Sequence, residues 1–236
     1  MGNVRIISRS SEPFQDRRHA GGALADALAH LRGRRAVVLG VPRGGVVVAQ
    51  EMARKLDADL DVMLAHKLSA PGHRELAIGA VGENGSLLID NDLVDRLGVS
   101  SSYLEEEQER QRSTMRHRTE IFRQVLPKVA LEGRDVVVTD DGVATGATVL
   151  AALWAARQES PGTLIAAVPV GAEEALQHLS SEADEVVCLR APMLFQAVGQ
   201  FYVSFEQVED GDVIEVLRQE SRRRQVQTGP RDTGGR

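Results

Sequence analysis

Two periods of apolar residues interleave along this chain. Residues 36–40, 60–65, 136–138, 164–170 and 186–190 are short runs dominated by Val, Leu, Ile and Ala. Such runs, rich in β-branched residues and lacking polar alternation, predict strands covered on both faces. Between them the spacing changes. Ala20, Ala23, Leu24, Ala27, Leu28 and Leu31 recur at helical intervals and predict a helix that Gly33 ends. Residues 46–56, 149–157 and 172–179 read as further helices. Strands alternating with helices imply an α/β fold, a mainly parallel, doubly wound sheet flanked by helices.

The middle of the chain departs from that rhythm. Residues 66–75 read as a polar loop containing Pro71 and Gly72. Residues 76–81 and 87–90 read as two strands joined by a turn at Asn84-Gly85. Residues 91–99 predict a short helix or loop, and 102–122 a long charged helix, largely solvated, with Ser102 and Glu105 spaced as a capping box. Its acidic first turn and basic last turn suit the helix dipole, so its charges read as structural. Residues 213–217 begin a last helix. The run 221–236 is rich in Arg, Gly and Gln without apolar periodicity and is expected to be a disordered tail behind one domain over 1–220.

Composition narrows the function classes. A net charge of −6 argues against a nucleic-acid binder working by bulk electrostatics. No apolar run approaches the roughly 20 residues that span a bilayer, and the first residues carry no apolar signal core. The one cysteine, Cys188, sits in an apolar strand and reads as a small buried hydrophobe. These features lead to the expectation of a cytoplasmic chain, away from membrane and nucleic acid. The six histidines show no metal-ligand spacing.

Candidate chemistry concentrates after the central strand, in Asp140-Asp141-Gly142-Val143-Ala144-Thr145-Gly146-Ala147-Thr148. A glycine- and threonine-containing loop leading into a helix offers free backbone N–H groups and hydroxyls to a phosphate. Gly146 lets the backbone approach without a Cβ in the way. Two carboxylates beside a phosphate site make sense when the ligand also carries hydroxyls or a divalent cation. Asp140 and Asp141 then accept from a ribose diol while 145–148 hold the 5-phosphate. A second strand–turn–helix unit carries Arg43-Gly44-Gly45, whose amides and guanidinium form another candidate anion site.

The stretch 136–148 resembles the PRPP-binding motif of the type I phosphoribosyltransferases: apolar residues, two acidic ones, three variable positions, then Thr-Gly-x-Thr. Arg43-Gly44-Gly45 is similar to that family's pyrophosphate loop. The Pro-Arg-Gly-Gly turn, the run 77–81 and Phe195-x-Ala197-Val198-Gly199 resemble a bacterial subgroup of such proteins without a settled substrate.

The resemblance implies transfer of a 5-phosphoribosyl group from PRPP, with Mg²⁺ as cofactor, to a nitrogen acceptor such as a nucleobase. It implies Arg43, Lys67, Asp140 and Asp141 as the reacting set. Gly44, Gly45, Arg74 and 142–148 complete the PRPP site, with Mg²⁺ carried by PRPP and reached through Asp140 and Asp141. Lys67 and Arg74 would lie on a mobile loop over pyrophosphate; solvated surface roles are the competing reading of both. A hood at about 190–205 would cover the acceptor, and an inserted helix would occupy about 100–124. Phe195 or Tyr202 would stack on a flat base, with core packing the rival reading. Family members acting on 6-oxopurines typically carry an aspartate before Thr-Gly; Ala144 stands there, which argues against hypoxanthine or guanine. Glu75 is a distant acid–base candidate. The partners implied are PRPP and a small-molecule acceptor, and a homo-oligomer is allowed. Two other readings use the same site: a regulator that binds PRPP or a nucleotide without turnover, and cleavage of a ribosyl phosphate by water or phosphate.

Overall fold

The computed structural model describes residues 2–83, 85 and 87–228, without the side chains of Arg74, Glu75, Gln227 and Thr228. The runs read as buried strands form one parallel sheet. Its strands are β1 (Asn3–Ser8), β2 (Val37–Gly40), β3 (Asp59–Val62), β7 (Asp135–Thr139), β8 (Thr163–Val170) and β9 (Glu185–Arg190), in the order β1-β9-β8-β7-β2-β3. Between β3 and β7 lie a three-stranded antiparallel sheet, β4 (Ala65–Ala70), β5 (His73–Gly82) and β6 (Leu87–Ile89), and two helices, α3 (Asn91–Leu97) and α4 (Ser101–Val125).

Period-two alternation sorts the strand residues between two faces. Val38, Val137 and Ile165 point to one face, covered by α1 (Arg17–Ala27), α2 (Gly44–Leu56) and α7 (Asp210–Thr228). Val37, Val136, Val138 and Leu164 point to the other, covered by α5 (Ala147–Arg157) and α6 (Glu173–Leu179). With both faces covered, even Cys188 is fully buried, and burial pushes its thiol up to about 12. Trp154 lies on the packed side of α5 against Ala65 and Ala80 of the small sheet.

Several expectations need correction. The polar loop at 66–75 is instead the hairpin of β4 and β5. Leu68 and Ala70 are buried while Lys67 and Ser69 are half-buried, an alternation too short to stand out among polar neighbours. The turn at Asn84 and Ser86 lies outside the described residues, as do the side chains of Arg74 and Glu75. The strand β1 had no forecast; it is a half-exposed edge strand whose weak pattern reflects one-sided covering. The cap of α4 is Ser100, which accepts from the Tyr103 amide at 3.3 Å, so Ser102 lies within the first turn. That helix is also less solvated than its charge suggests: Met115, Phe122 and Glu107 are buried.

The last helix crosses the expected boundary at 220 and continues to Thr228. Glu220 is buried and pairs with Arg223 and Arg224 at 2.7 and 3.1 Å. Those arginines also donate to the Ala58 and Leu60 carbonyls at the start of β3. The charges that resemble a solvated tail thus dock the helix. Residues 229–236 lie outside the described residues.

Arg123 clamps the inserted helix to the main sheet. It donates to Asp61 at 2.6 Å and to Glu83 at 2.9 Å, and Asp61 also accepts from the Val129 amide at 2.9 Å. Asp61 is 1% exposed. Removing one member of a buried ionic network leaves uncompensated charge and unsatisfied donors. Asp61→Ala is therefore expected to cost about 3 kcal/mol, read as a lower denaturant midpoint at unchanged slope; an unchanged midpoint contradicts this role.

Candidate active site

Neighbouring strands β2 and β7 run parallel in register, so their carboxyl ends deliver two loops to one place. The Val41 amide donates to Thr139 O at 2.9 Å and ties the loops at their roots. The turn after β2 contains a cis Pro42–Arg43 bond and opens α2 at Gly44. A Cβ on Gly45 would lie 2.7 Å from Thr139 O and 2.8 Å from the Asp140 Cα. A Cβ on Gly44 would collide with the Asp141 carboxylate. The two glycines therefore allow contact between the loops, a role beyond supplying free amides. The Gly45 amide is itself committed, donating to the Asp140 carboxylate.

Each acid is tied to the chain. Asp140 Oδ1 accepts from the Asp141 amide at 2.8 Å, and Asp141 Oδ2 accepts from Arg17 Nε at 2.8 Å. An ionised carboxylate accepts several hydrogen bonds through its two oxygens, so such a pair suits two adjacent hydroxyls. Burial first, then the charge of Asp141, pushes the Asp140 carboxyl well above the ordinary carboxylate range. Burial raises Asp141 as well, opposed by Arg17.

The loop beyond the acids reaches the head of α5. Val143 is buried; its amide donates to Val170 O at 2.9 Å and its carbonyl accepts from the Ala172 amide at 3.0 Å. It anchors the loop from below and offers no side chain to a ligand. A Cβ on Gly142 would lie 2.6 Å from Val198, so this glycine seats the loop under the hood. Gly146, at φ +78°, caps α5. The helical ladder starts where the Leu150 amide donates to Gly146 O at 2.8 Å, so the Thr148 and Val149 amides precede it. Thr145, Thr148 and Ala144 are exposed around this helix end, and Ala147 is buried beneath it.

The matching family model, described as "phosphoribosyl transferase domain", covers residues 15–205. The chain belongs to this phosphoribosyltransferase family. Putative phosphoribosyl transferases from two strains of Mycobacterium tuberculosis, H37Rv and CDC 1551, are each 43% identical to it over 204 residues, 86% of this chain and 46% of the relative. The chain thus spans about half the length of those curated relatives. A solved structure, TT1426 from Thermus thermophilus, is 51% identical with a TM-score of 0.83, covering 88% of this chain and 98% of that one.

Within this phosphoribosyltransferase fold, the structure gathers Arg43, Gly44, Gly45, Asp140 and Asp141 at one edge. It gives Arg43 an unforeseen partner, Glu209, at 2.7 Å. Lys67 sits on β4, in the small sheet beside α5, and not on a loop. Tyr202 is in the core: its ring stacks on Phe205 with centroids 5.0 Å apart, and its hydroxyl donates to Asp141 O at 2.6 Å. Burial pushes that phenol up, so it remains a donor. Core packing therefore accounts for Tyr202, and base stacking does not. Phe195 is half-buried with its ring 5.2 Å from that of Phe201. Among the described residues no cluster of three His, Cys, Asp or Glu side chains is placed to hold a metal ion, and no helix is long and apolar enough to cross a membrane.

Arg17 and Glu209 were missed because each reaches the site across more than a hundred residues. For Arg17 a faint local signal exists: it opens a helix, where a cation opposes the dipole.

The raised carboxyls have a consequence for stability. In the unfolded chain both have ordinary values near 4. Folding therefore favours proton uptake, an advantage present below about pH 4 and lost as pH rises through the elevated folded values. Asp140→Asn is expected to melt above the parent at neutral pH, with the difference shrinking towards about pH 4. A parent that melts higher at neutral pH contradicts this.

Proposed function

We propose that this protein transfers a 5-phosphoribosyl group from PRPP to a nitrogen acceptor, with release of pyrophosphate. One observation carries the reading: the acidic pair packs against the Arg43–Gly45 turn while the same loop runs on into the amide end of α5. A phosphorylated ribose bearing a pyrophosphate has matching groups: a diol for the two carboxylates, a phosphate for the helix end and an anionic leaving group for Arg43.

In this reading the acceptor nitrogen's lone pair forms a bond to the anomeric carbon. The bond from that carbon to the pyrophosphate oxygen breaks, and its electron pair leaves with pyrophosphate. The proton on the acceptor passes to water. Asp140 and Asp141 accept from the ribose hydroxyls, and their charge favours the cationic character that develops on the sugar. The Thr148 and Val149 amides and the Thr145 and Thr148 hydroxyls hold the phosphate, converting remote binding into alignment at the reacting carbon. Arg43 must exchange Glu209 for pyrophosphate. Lys67 approaches the leaving group from the small sheet. Two desolvated carboxylates that resist ionisation also fit a nearby cation. Mg²⁺ arriving with PRPP would neutralise charge on the pyrophosphate, with Asp140 and Asp141 as the protein's side of that site. Ala144 gives the acceptor no titratable side chain, which disfavours 6-oxopurines.

Labelled PRPP incubated with Mg²⁺ and a panel of nucleobases tests this. A ribosylated base is expected; binding without product would favour a regulator, and free ribose phosphate would favour hydrolysis. Asp140→Asn with Asp141→Asn is expected to weaken PRPP binding at least about 100-fold, since each acid supplies a charge-assisted hydrogen bond. Unchanged binding contradicts the site. Lys67→Ala is expected to lower kcat more than it raises the PRPP dissociation constant, and equal turnover removes its role.

A further inference from the structure

Arg17 occupies an awkward place. It opens α1, where the helix dipole disfavours a cation, yet its side chain is only 11% exposed. Its partners explain why. Nε donates to Asp141 Oδ2 at 2.8 Å, one terminal nitrogen donates to Glu206 O at 2.8 Å, and the guanidinium carbon lies 3.9 Å from the centre of the Phe205 ring. Two of those three partners, Phe205 and Glu206, lie at the end of the hood and just beyond it. The missing Cβ of Gly44 makes room for the ion pair, because a Cβ there would also lie 3.0 Å from Arg17 Nε.

We propose that Arg17 is a positioning residue for the ribose-binding carboxylates, holding Asp141 by one oxygen so that the other faces the ligand, and linking the acidic pair to the segment 202–206. This rests on the PRPP reading above. The planar guanidinium supplies what an ammonium cannot: directed donors to two acceptors with an apolar face left for the ring. Tyr202 completes the hold by donating to the Asp141 carbonyl, so side chain and backbone are both fixed from the hood side. Three elements thus meet at Asp141: its own loop through the bond from the Asp141 amide to Asp140 Oδ1, α1 through Arg17, and the hood through Tyr202.

Calorimetry of PRPP with Mg²⁺, and of ribose 5-phosphate beside 2-deoxyribose 5-phosphate, on the full chain separates positioning from mere packing. Arg17→Gln is expected to bind PRPP at least about tenfold more weakly and to lose most of the parent's preference for the ribose compound over the deoxy compound. Arg17→Lys keeps the charge and loses the fork; it is expected to keep part of that preference while its affinity stays several-fold lower. Glutamine with the parent's affinity and preference overturns the proposal, as does lysine with the parent's affinity and preference if the glutamine variant shows no cooperative melting. A parent that fails to bind PRPP overturns the site reading and this proposal together, an outcome distinct from a binding parent with insensitive variants.

Discussion

The structure depends on two loops meeting at van der Waals distance with a pair of carboxylates between them. Gly44 and Gly45 can lie against Asp140 and Asp141 only because they carry no side chain. The acids are thereby desolvated and crowded together, which costs stability. A fold selected for stability alone would put apolar or amide groups there. Retaining charge in so dry a place makes sense when a ligand satisfies it, since strained electrostatics and function commonly coincide.

The rest of the molecule makes that arrangement rigid. Parallel pairing of β2 with β7 sets the loops side by side, and β8 holds the acidic loop through Val143. The hood is stitched to the chain ahead of α1: the Phe14 amide donates to Phe201 O at 2.8 Å and the Val203 amide to Phe14 O at 2.8 Å. That stitching brings Arg17 and Tyr202 to Asp141 together. On the other side, the small sheet that carries Lys67 packs against α5. Arg43 is held by Glu209, next to the start of α7, so one ion pair ties the turn after β2 to that segment.

The sequence made much of this legible. Buried parallel strands announce themselves because both faces are covered and polar interruption is rare, as at 136–138. The central motif was readable as a family signature because its residue types stand at fixed spacing, and the family model covers it. What was hidden has physical reasons. β1 is one-sided, so its signal is half as strong. β4 carries Lys67 and Ser69 between Leu68 and Ala70 and passes for a polar loop. The arginines after 220 look like a tail until Glu220 and the carbonyls at the start of β3 are seen to receive them. Tyr202 offered an aromatic ring to two readings, and only its stacking on Phe205 and its bond to the Asp141 carbonyl decide for packing. Arg17 and Glu209 act across the fold, where local pattern carries no information.

The central claim is that one site grips a ribose by its hydroxyls and its phosphate at once. Calorimetric comparison of ribose 5-phosphate with 2-deoxyribose 5-phosphate addresses it most directly, because the two differ by a single hydroxyl aimed at the acidic pair. Ribose 5-phosphate should bind, and the deoxy compound should bind at least about tenfold more weakly, the loss of one hydrogen bond to a charged acceptor. Equal affinity for the two, or no affinity for either, would contradict the account.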